Sequence, residues 1–402
     1  MAMTVAMLLS CDSFESFFGR VLKLDREKYL RDYRNDFAWY YARGLIENGL
    51  RPVLYIASLN DSGLYHTDVG VDVRFLPLAG WYRRLAFLRR ACRATRWTLY
   101  AQERLNAVAF ERPLRDALAE DEARLFYIQE YWGGRFDHLA HRSPVPVSAA
   151  DHGGLADGVV KWFKRSAMKK ATVLYGQTPA ECERITAYGG RAELHSNGCD
   201  TSVFRPDPSI ERTKTVLTVA RLTNKQKRTS DLIRAMTSLS ADWTLEIVGT
   251  GPDQTMLSEL ATELGVADRV KFHGFQGRTE VLDFMRRCGV YAMPSANEAV
   301  CIAVLEAMGC GAAVVATRIR AFEPLIEDGV SGRLVPVGEP AALAAAIEDA
   351  WQRRDTMGRA AVDTVRTRYD AQTLYRRLAR SMRASAGAAE QPQPTQPAGV
   401  AV

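Results

Sequence analysis

Short apolar stretches alternate with amphipathic stretches along the first half of the chain. The apolar stretches read TVAMLLS, RPVLYIAS, VDVRFLPL, RLFYIQEYW and VPVSAADHG, and a helical pattern, DFAWYYARGLIENGL, stands between the first two. The half closes with ATVLYGQTPAECERITAYGG, which reads as one more strand and one more helix. Strands that alternate with helices predict parallel β-α-β units.

The second half repeats this alternation. The strand patterns KTVLTVARL, WTLEIVGTGPD, VKFHGF, VYAMPS and GRLVPV are separated by helix patterns such as RTSDLIRAMTSL, DQTMLSELATELGV and TEVLDFMRRC. Each half is therefore expected to form a Rossmann-like, doubly wound parallel sheet, and the chain is expected to be an α/β protein. Ligands of such sheets bind beyond the carboxyl ends of the strands, so two such domains that face one another predict a binding cleft between them.

Two prolines, Pro206 and Pro208, mark the expected boundary between the halves. We predict a first domain over residues 1–207 and a second over 208–370. Residues 371–384 are expected to form a helix that packs back on the first domain. Residues 385–402 are small, polar and rich in proline, which predicts a disordered tail.

The composition is that of a soluble globular protein. The 402 residues are 47% hydrophobic and 25% charged, and no apolar run reaches the length of a membrane span. A net charge of +6 is too small and too diffuse to indicate nucleic-acid binding. The seven cysteines include no CxxC pair, which favours a reducing cytoplasm over a disulfide framework or a zinc site.

Two segments of the first half mix basic and large apolar residues. They are WYRRLAFLRRACRATRWTLYAQER and KWFKRSAMKK. Basic amphipathic helices can lie on anionic membranes, so residues 83–96 and 161–170 predict peripheral contact with the inner membrane face. A solvated helix face with extended arginine side chains is the equal alternative.

The stretch EAVCIAVLEAMGCGAAVVAT holds two carboxylates, Glu298 and Glu306, in an apolar context. A helix over about residues 299–308 would separate them by a rise of ~12 Å and an angle of ~80°. Glycosidase carboxylates lie roughly 5–9.5 Å apart, so this pair is expected to hold two ends of one extended ligand instead. In the alternative interpretation, Glu298 only starts the helix and Glu306 pairs with an arginine.

Basic residues follow the first strand of the second half. In VARLTNKQKRTSDLIRA, Arg221 ends the strand, and Lys225, Lys227 and Arg228 lie in the loop beyond it. Cations at this end of a doubly wound sheet lie where phosphates bind. A solvated basic loop is the alternative, and it suits Lys225 and Arg228 better than Arg221.

These motifs, in their order and spacing, resemble the donor-binding domain of retaining glycosyltransferases of family 4, which have the two-domain GT-B fold. The matching segments are ARLTNKQKRTSDLIRA, IVGTGPD, VKFHGF, YAMPSANEAVCIAVLEAMGCGAAVVAT and EPLIEDGVSGRLVPVGEPAALAAAI. SNGCDTSVFRPD resembles the family's linker between domains. The resemblance covers about residues 170–350, and the first half matches by pattern alone.

The resemblance implies roles for individual residues. Arg221 and Lys227 would hold the donor diphosphate, and Glu306 would bind the ribose hydroxyls. Glu298 would lie beside the transferred sugar, and His152 would lie near the reaction centre. The complete donor site implied by the resemblance is Gly249, Gly251, Phe275, Glu298, Ala299, Val300, Cys301, Ile302 and Glu306.

The implied activity is the retaining transfer of a hexosyl group from a UDP- or GDP-sugar to a hydroxyl acceptor in glycan, glycolipid or glycoconjugate biosynthesis. The acceptor is either soluble or lipid-linked. No Asp-x-Asp motif stands out, so no metal and no cofactor are expected. Two alternatives stay: a sugar-phosphate synthase or phosphorylase of the same fold, and a non-catalytic subunit that binds nucleotide-sugars.

Two departures from the family pattern concern specificity. The family often has Glu-Gly-Phe-Gly at the first glutamate, whereas this chain has Glu298-Ala299-Val300-Cys301. The added side chains crowd the place of the sugar. The loop after the first strand, SCDSFESFFGR, has a single glycine where the family is usually glycine-rich, and it is expected to shape an unusual acceptor pocket.

Overall fold

The computed structural model describes residues 2–33, 37–88, 95–151, 161–298 and 301–387. The described residues divide into two compact units. Unit 1 contains residues 2–151, 161–194 and 375–387, and unit 2 contains residues 195–374. The division falls after Leu194 rather than after the expected residue 207, because Cys199 and Phe204 are buried in the core of unit 2.

Unit 1 is built on an eight-stranded sheet in the described part of the chain. Its strands are β1 (Met3–Leu8), β2 (Leu50–Ser58), β3 (Gly63–Tyr65), β4 (Asp72–Pro77), β5 (Ala123–Gln129), β6 (Val147–Ala150), β7 (Val173–Gly176) and β8 (Ala192–Leu194). Their order is β3-β4-β2-β1-β5-β6-β7-β8. All neighbours pair in parallel except β3 and β4, which are antiparallel.

Helices cover both faces of this sheet. They are α1 (Arg26–Arg31), α2 (Phe37–Glu47), α3 (Gly80–Leu88), α4 (Arg96–Glu120), α5 (Gly134–Arg142), α6 (Lys161–Lys170) and α7 (Pro179–Ala187), with a π-helical turn at Glu15–Gly19. Alternate side chains of β1 enter opposite cores: Ala6 and Leu8 pack on one face, and Val5 and Met7 on the other. Because both faces are buried, the strand is almost wholly apolar, as predicted.

Unit 2 is built on a six-stranded, wholly parallel sheet among its described residues. Its strands are β9 (Thr213–Val219), β10 (Thr244–Val248), β11 (Val270–Gly274), β12 (Cys288–Met293), β13 (Ala313–Thr317) and β14 (Arg333–Val335). Their order is β11-β10-β9-β12-β13-β14. In β13, Val314 and Ala316 enter one core, and Ala313 and Val315 enter the other.

The helices of unit 2 lie between these strands along the chain. They are α8 (Asn224–Lys227), α9 (Thr229–Ala235), α10 (Gln254–Glu263), α11 (Arg278–Arg287), α12 (Ile302–Gly309), α13 (Pro340–Gln352) and α14 (Arg354–Arg368), with a 3-10 turn at Ala267–Arg269. The predicted pair of doubly wound parallel sheets is therefore confirmed. The expected cleft between the domains stays a prediction.

A final helix, α15 (Ala371–Ser385), begins in unit 2 and continues in unit 1. Its residues Leu378, Ala379 and Met382 are buried in the core of unit 1, together with side chains of α2. Most of the expected tail, from residue 388 onward, lies outside the described residues.

Two further properties bear on the sequence expectations. In the described residues, no helix combines the length and the hydropathy that crossing a lipid bilayer requires. Six of the seven cysteines lie in the described part of the chain and are free thiols.

Candidate functional site

The topological switch point of the unit 2 sheet lies between β9 and β12. From β9 the chain first builds β10 and β11 on one side, and it then returns to build β12, β13 and β14 on the other. The loops that follow β9 and β12 consequently leave the sheet side by side. In open parallel sheets this is the place where ligands bind.

The loop after β9 carries Lys227 to this point on the short helix α8. The Asn224 backbone N–H donates to Asp253 Oδ2 at 2.6 Å, which anchors the start of the helix. The Ala296 N–H, from the loop after β12, donates to the Gln226 carbonyl at 2.8 Å. The two loops are thus joined by a backbone hydrogen bond beside Lys227.

Lys227 and Glu298 meet across the switch point. Lys227 Nζ lies 2.5 Å from Glu298 Oε1, and Ser295 Oγ donates to the same oxygen at 2.6 Å. The side chains are 15% and 8% exposed, so both charges have lost most of their water. A buried ion pair needs such additional hydrogen bonds to offset desolvation.

The expected start of the helix at about residue 299, directly after Glu298, is wrong. Helix α12 begins at Ile302, and its N-cap Cys301 has extended dihedral angles, φ −82° and ψ 99°. Glu298 therefore precedes the helix by several residues and lies in the loop, where it reaches Lys227. Ala299 and Val300, which were expected in the donor site, lie outside the described residues.

Glu306 does lie within α12, as predicted. Burial raises the pKa of its carboxyl to about 7; the Arg278 charge opposes this rise and Asp200 reinforces it. Arg278 itself pairs with Asp200 at 3.4 Å rather than with Glu306. No ion pair of Glu306 is found among the described residues, and its expected role toward the ribose stays a prediction.

The predicted glycine turn lies beside the other loops of the site. Gly249 has φ +125°, and a Cβ there would lie 2.0 Å from the Ala220 carbonyl oxygen, so only glycine fits. A Cβ at Gly251 would lie 2.3 Å from the Leu222 oxygen. The Gly249 N–H donates to the Gly274 carbonyl at 2.7 Å, which brings the turn next to Phe275.

The remaining predicted residues divide into exposed, buried and undescribed. Arg221 follows β9 and is exposed, and Phe275 is 70% exposed, so both side chains are accessible to a ligand. Cys301 is buried and Ile302 is half-buried. His152 lies outside the described residues.

Sequence reasoning missed Ser295 and Gln226. Ser295 is fully buried, and Gln226 connects the two loops through its carbonyl oxygen. The motif YAMPSANEA contains Ser295 three positions before Glu298, and this spacing was the available signal. Gln226 gives no signal in the sequence, although its side-chain Nε2 also donates to the Asn297 carbonyl at 3.3 Å.

Residues 201–362 match the family model described as "Glycosyl transferases group 1". This segment contains every described residue of the site. It is a group 1 glycosyl transferase domain.

Known relatives are similar to part of the chain in sequence, and solved structures share its fold. The D-inositol 3-phosphate glycosyltransferase of Mycolicibacterium gilvum is 32% identical over 197 residues, which are 44% of this chain and 43% of that protein. The sucrose-phosphate synthase of Thermosynechococcus elongatus has a TM-score of 0.73 at 17% identity, over 95% of this chain and 98% of that one. The Anabaena protein HepE, solved with UDP, has a TM-score of 0.69 at 19% identity, over 96% and 100%.

These likenesses confirm the GT-B fold for the chain and the family 4 resemblance for its group 1 domain. The chain spans about half the length of the relatives it matches, or less.

Proposed function

We propose that the chain is a retaining hexosyltransferase that moves a sugar from a UDP- or GDP-sugar to a hydroxyl group in glycan, glycolipid or glycoconjugate biosynthesis. The observation that carries the proposal is the contact of Lys227 with Glu298 at the switch point of the group 1 domain. A cation and a carboxylate held there suit a ligand with a diphosphate and a sugar at adjacent positions.

The charges of the site suit the leaving group. As the glycosidic bond breaks, negative charge grows on the diphosphate, and fixed cations stabilise that charge. Lys227 and the exposed Arg221 supply two cations, and the backbone amides at the start of α12 add partial positive charge. Glu306 accepts hydrogen bonds from the ribose hydroxyls, Glu298 contacts the sugar, and the loop at Phe275 contacts the base.

Retention is proposed without a covalent enzyme intermediate. The departing phosphate accepts the proton of the acceptor hydroxyl, which attacks on the face that the diphosphate leaves. His152 is proposed to lie near the sugar. Because cationic side chains and amides stabilise the leaving group, the transfer is proposed to need no metal ion.

A thermal-shift panel of UDP-, GDP- and ADP-sugars tests donor binding, because ligands that bind only the folded state raise its melting temperature. The UDP in the HepE structure makes UDP-sugars the first choice. A rise with one nucleotide class, followed by release of that nucleotide with an acceptor extract, supports the proposal. No shift with any of them would refute it.

The same assay separates the alternatives. A sugar-phosphate synthase or a phosphorylase would need a phosphorylated sugar or inorganic phosphate as co-substrate. A non-catalytic subunit would bind the nucleotide-sugar but release no nucleotide. The anomeric configuration of the product, read by NMR, tests retention.

We propose in addition that unit 1 contacts an anionic membrane at the inner face, so that the enzyme is peripheral there. Trp97 of α4 and Trp162 of α6 are 62% and 73% exposed. The Arg104 guanidinium lies 4.9 Å from the ring centre of the half-exposed Phe163, so the two helices adjoin. Exposed aromatic rings beside cations suit a membrane interface.

Part of the basic pattern has another role. Lys164 is fully buried and pairs with Asp137 at 2.6 Å, so it belongs to the core and not to the membrane face. Residues 89–94 lie outside the described residues.

Flotation with anionic vesicles at low salt tests the proposed membrane contact. Trp162→Ala should weaken vesicle binding, whereas Val337→Ala in unit 2 should leave it unchanged. Failure of the native chain to float with the vesicles would refute the membrane contact.

A further inference from the structure

A cavity of about 640 Å³ lies in unit 1, beyond the carboxyl ends of β1, β2 and β5. Strand β1 stands between β2 and β5, so the cavity is at the switch point of this sheet as well. Its size is typical of a small-molecule site. Its lining is Ser10, Cys11, Asp12, Ser13, Glu15, Ser16, Phe17, Arg20, Val21, Leu59, Tyr82, Glu103, Glu130 and Arg135.

The lining has four carboxylates and two guanidinium groups. Two of the carboxylates are already compensated. Arg135 lies 3.3 Å from Asp12. Glu15 accepts hydrogen bonds from Ser58 Oγ at 2.6 Å and from the Leu59 N–H at 3.0 Å, and these bonds lower its pKa although burial opposes them.

Glu103 and Glu130 carry the uncompensated charge of the cavity. Glu103 accepts a hydrogen bond from the Gly134 N–H at 2.5 Å. Among the described residues, none forms a hydrogen bond or an ion pair with the Glu130 side chain. Burial, reinforced by the charge of Glu103, raises the pKa of Glu130 to about 7.

Two cations act on Glu130, and both are occupied, while Arg20, the other guanidinium group of the lining, is exposed. Arg135 is bound by Asp12 and donates to Asn106 Oδ1 at 3.0 Å. Lys164 is bound by Asp137. Asp151 adds further negative charge in the neighbourhood of Glu130. A ligand group that enters the cavity at Glu130 therefore meets net negative charge.

We propose that this cavity binds the acceptor, and that the acceptor is a hydroxyl-rich sugar or polyol that carries an amine and no phosphate, with its ammonium group on Glu130. The proposal rests on the proposed transferase function. An ammonium ion replaces the partner that Glu130 lacks, whereas a phosphate would be repelled by Glu103 and Glu130. A hydroxyl group of the acceptor pairs with the exposed Ser10, whereas the Ser13 and Ser16 hydroxyls already bond to each other's backbone.

Cys11 gives a readout that is local to the cavity. It lines the cavity and is half-buried, whereas Cys182 is half-buried and not part of the lining. The probes are glucose, 6-amino-6-deoxyglucose and glucose 6-phosphate, which differ only at carbon 6. Cys11 is alkylated with iodoacetamide at about pH 7.5, where an alkyl ammonium stays charged. Peptide mass spectrometry measures the extent of alkylation, and Cys182 serves as the internal control.

The amino sugar should protect Cys11 at a concentration about tenfold lower than glucose, because a charge-assisted hydrogen bond replaces a neutral one. Glucose 6-phosphate should not protect Cys11. In Glu130→Gln the advantage of the amine should vanish, while glucose protects as before. Glu122→Gln is the matched control, because Glu122 is an exposed residue of unit 1 that shares the positive φ of Glu130, +51° against +78°.

Equal protection by glucose 6-phosphate, no protection by the amino sugar, or an unchanged preference in Glu130→Gln would each overturn the proposal. None of these measurements needs a donor. Failure of the cavity proposal is therefore distinct from failure of the transferase proposal, which the nucleotide-sugar panel decides in unit 2.

Discussion

Lys227 Nζ and Glu298 Oε1 lie 2.5 Å apart at the switch point of the second sheet, and Ser295 Oγ holds the same carboxylate oxygen. The cation assigned to the diphosphate is thus already positioned by a carboxylate from a neighbouring loop. A diphosphate that binds here shares Lys227 with Glu298 and needs no large movement of the side chain. Preorganised charge of this kind costs little reorganisation during the reaction.

Replacement of Lys227 by alanine should reduce turnover with the nucleotide-sugar by about a hundredfold or more, because the growing charge on the leaving diphosphate loses its fixed cation. Lys225→Ala is the matched control, since Lys225 is exposed on the same short helix. We expect its rate to stay within about twofold of the native rate. Initial rates of nucleotide release measure both, and equal rates in the two variants would remove Lys227 from the mechanism.

Affinity for a UDP-sugar should rise between about pH 6 and pH 8. Burial raises the pKa of Glu306 to about 7, so its carboxyl is mostly protonated at the lower pH and mostly ionised at the higher one. The ionised form accepts stronger hydrogen bonds from ribose hydroxyls. The diphosphate of a nucleotide-sugar does not change its protonation in this range, so the profile reports on the protein.

In Glu306→Gln, affinity for the UDP-sugar should fall about tenfold at pH 8 and no longer depend on pH. Isothermal titration calorimetry at the two pH values measures both effects. A variant that keeps the native pH profile would show that another group is responsible.

Gly249→Ala should destabilise unit 2 and abolish donor binding. The new Cβ would lie 2.0 Å from the Ala220 carbonyl oxygen at φ +125°, so the turn would have to move. Gly265→Ala is the control: its φ is +67°, but a Cβ there meets no atom within 4 Å. It should lose only about 1–2 kcal/mol from backbone strain. Thermal unfolding with and without UDP-sugar distinguishes the two, and equal losses would argue against the close approach.

Chelation of divalent metals should leave the transfer rate unchanged, because the proposed site stabilises the diphosphate with Lys227, Arg221 and backbone amides. Activity is measured after dialysis against EDTA, and again after Mg²⁺ or Mn²⁺ is restored. A rate that disappears on chelation and returns with one of these ions would contradict a metal-independent transfer.

The sequence predicts the second sheet well, because each of its strands is an apolar run bounded by a loop or helix signal. The resemblance to a known family also implies that Lys227 and Glu298 belong to one donor site, but it does not predict their direct contact. The start of α12 was misplaced, because an extended Cys301 delays the helix and no glycine, proline or capping side chain marks the change.

The cavity of unit 1 could not be predicted from the sequence. Its carboxylates come from the loop after β1, from α4 and from the end of β5, and only the folded sheet brings them together. The edge strands β3 and β8 were also missed, because three residues are too few to show a period. Glu130 lacks a cationic partner because Arg135 and Lys164 pair with other carboxylates, and the sequence does not show which pairs form in the fold.

Among the described residues, unit 1 is not a continuous segment of the polypeptide, because α15 passes from unit 2 into the core of unit 1. Exchange of unit 1, the half proposed to bind the acceptor, between related proteins must therefore carry the last helix along with residues 1–194. A chimaera joined only at Leu194 would combine Tyr375 of one parent with the residue at position 44 of the other. In this chain position 44 is glycine, and the Cβ of an alanine there would lie 2.2 Å from the Tyr375 ring. Recombination at a single crossover point is consequently a poor way to exchange unit 1 between relatives.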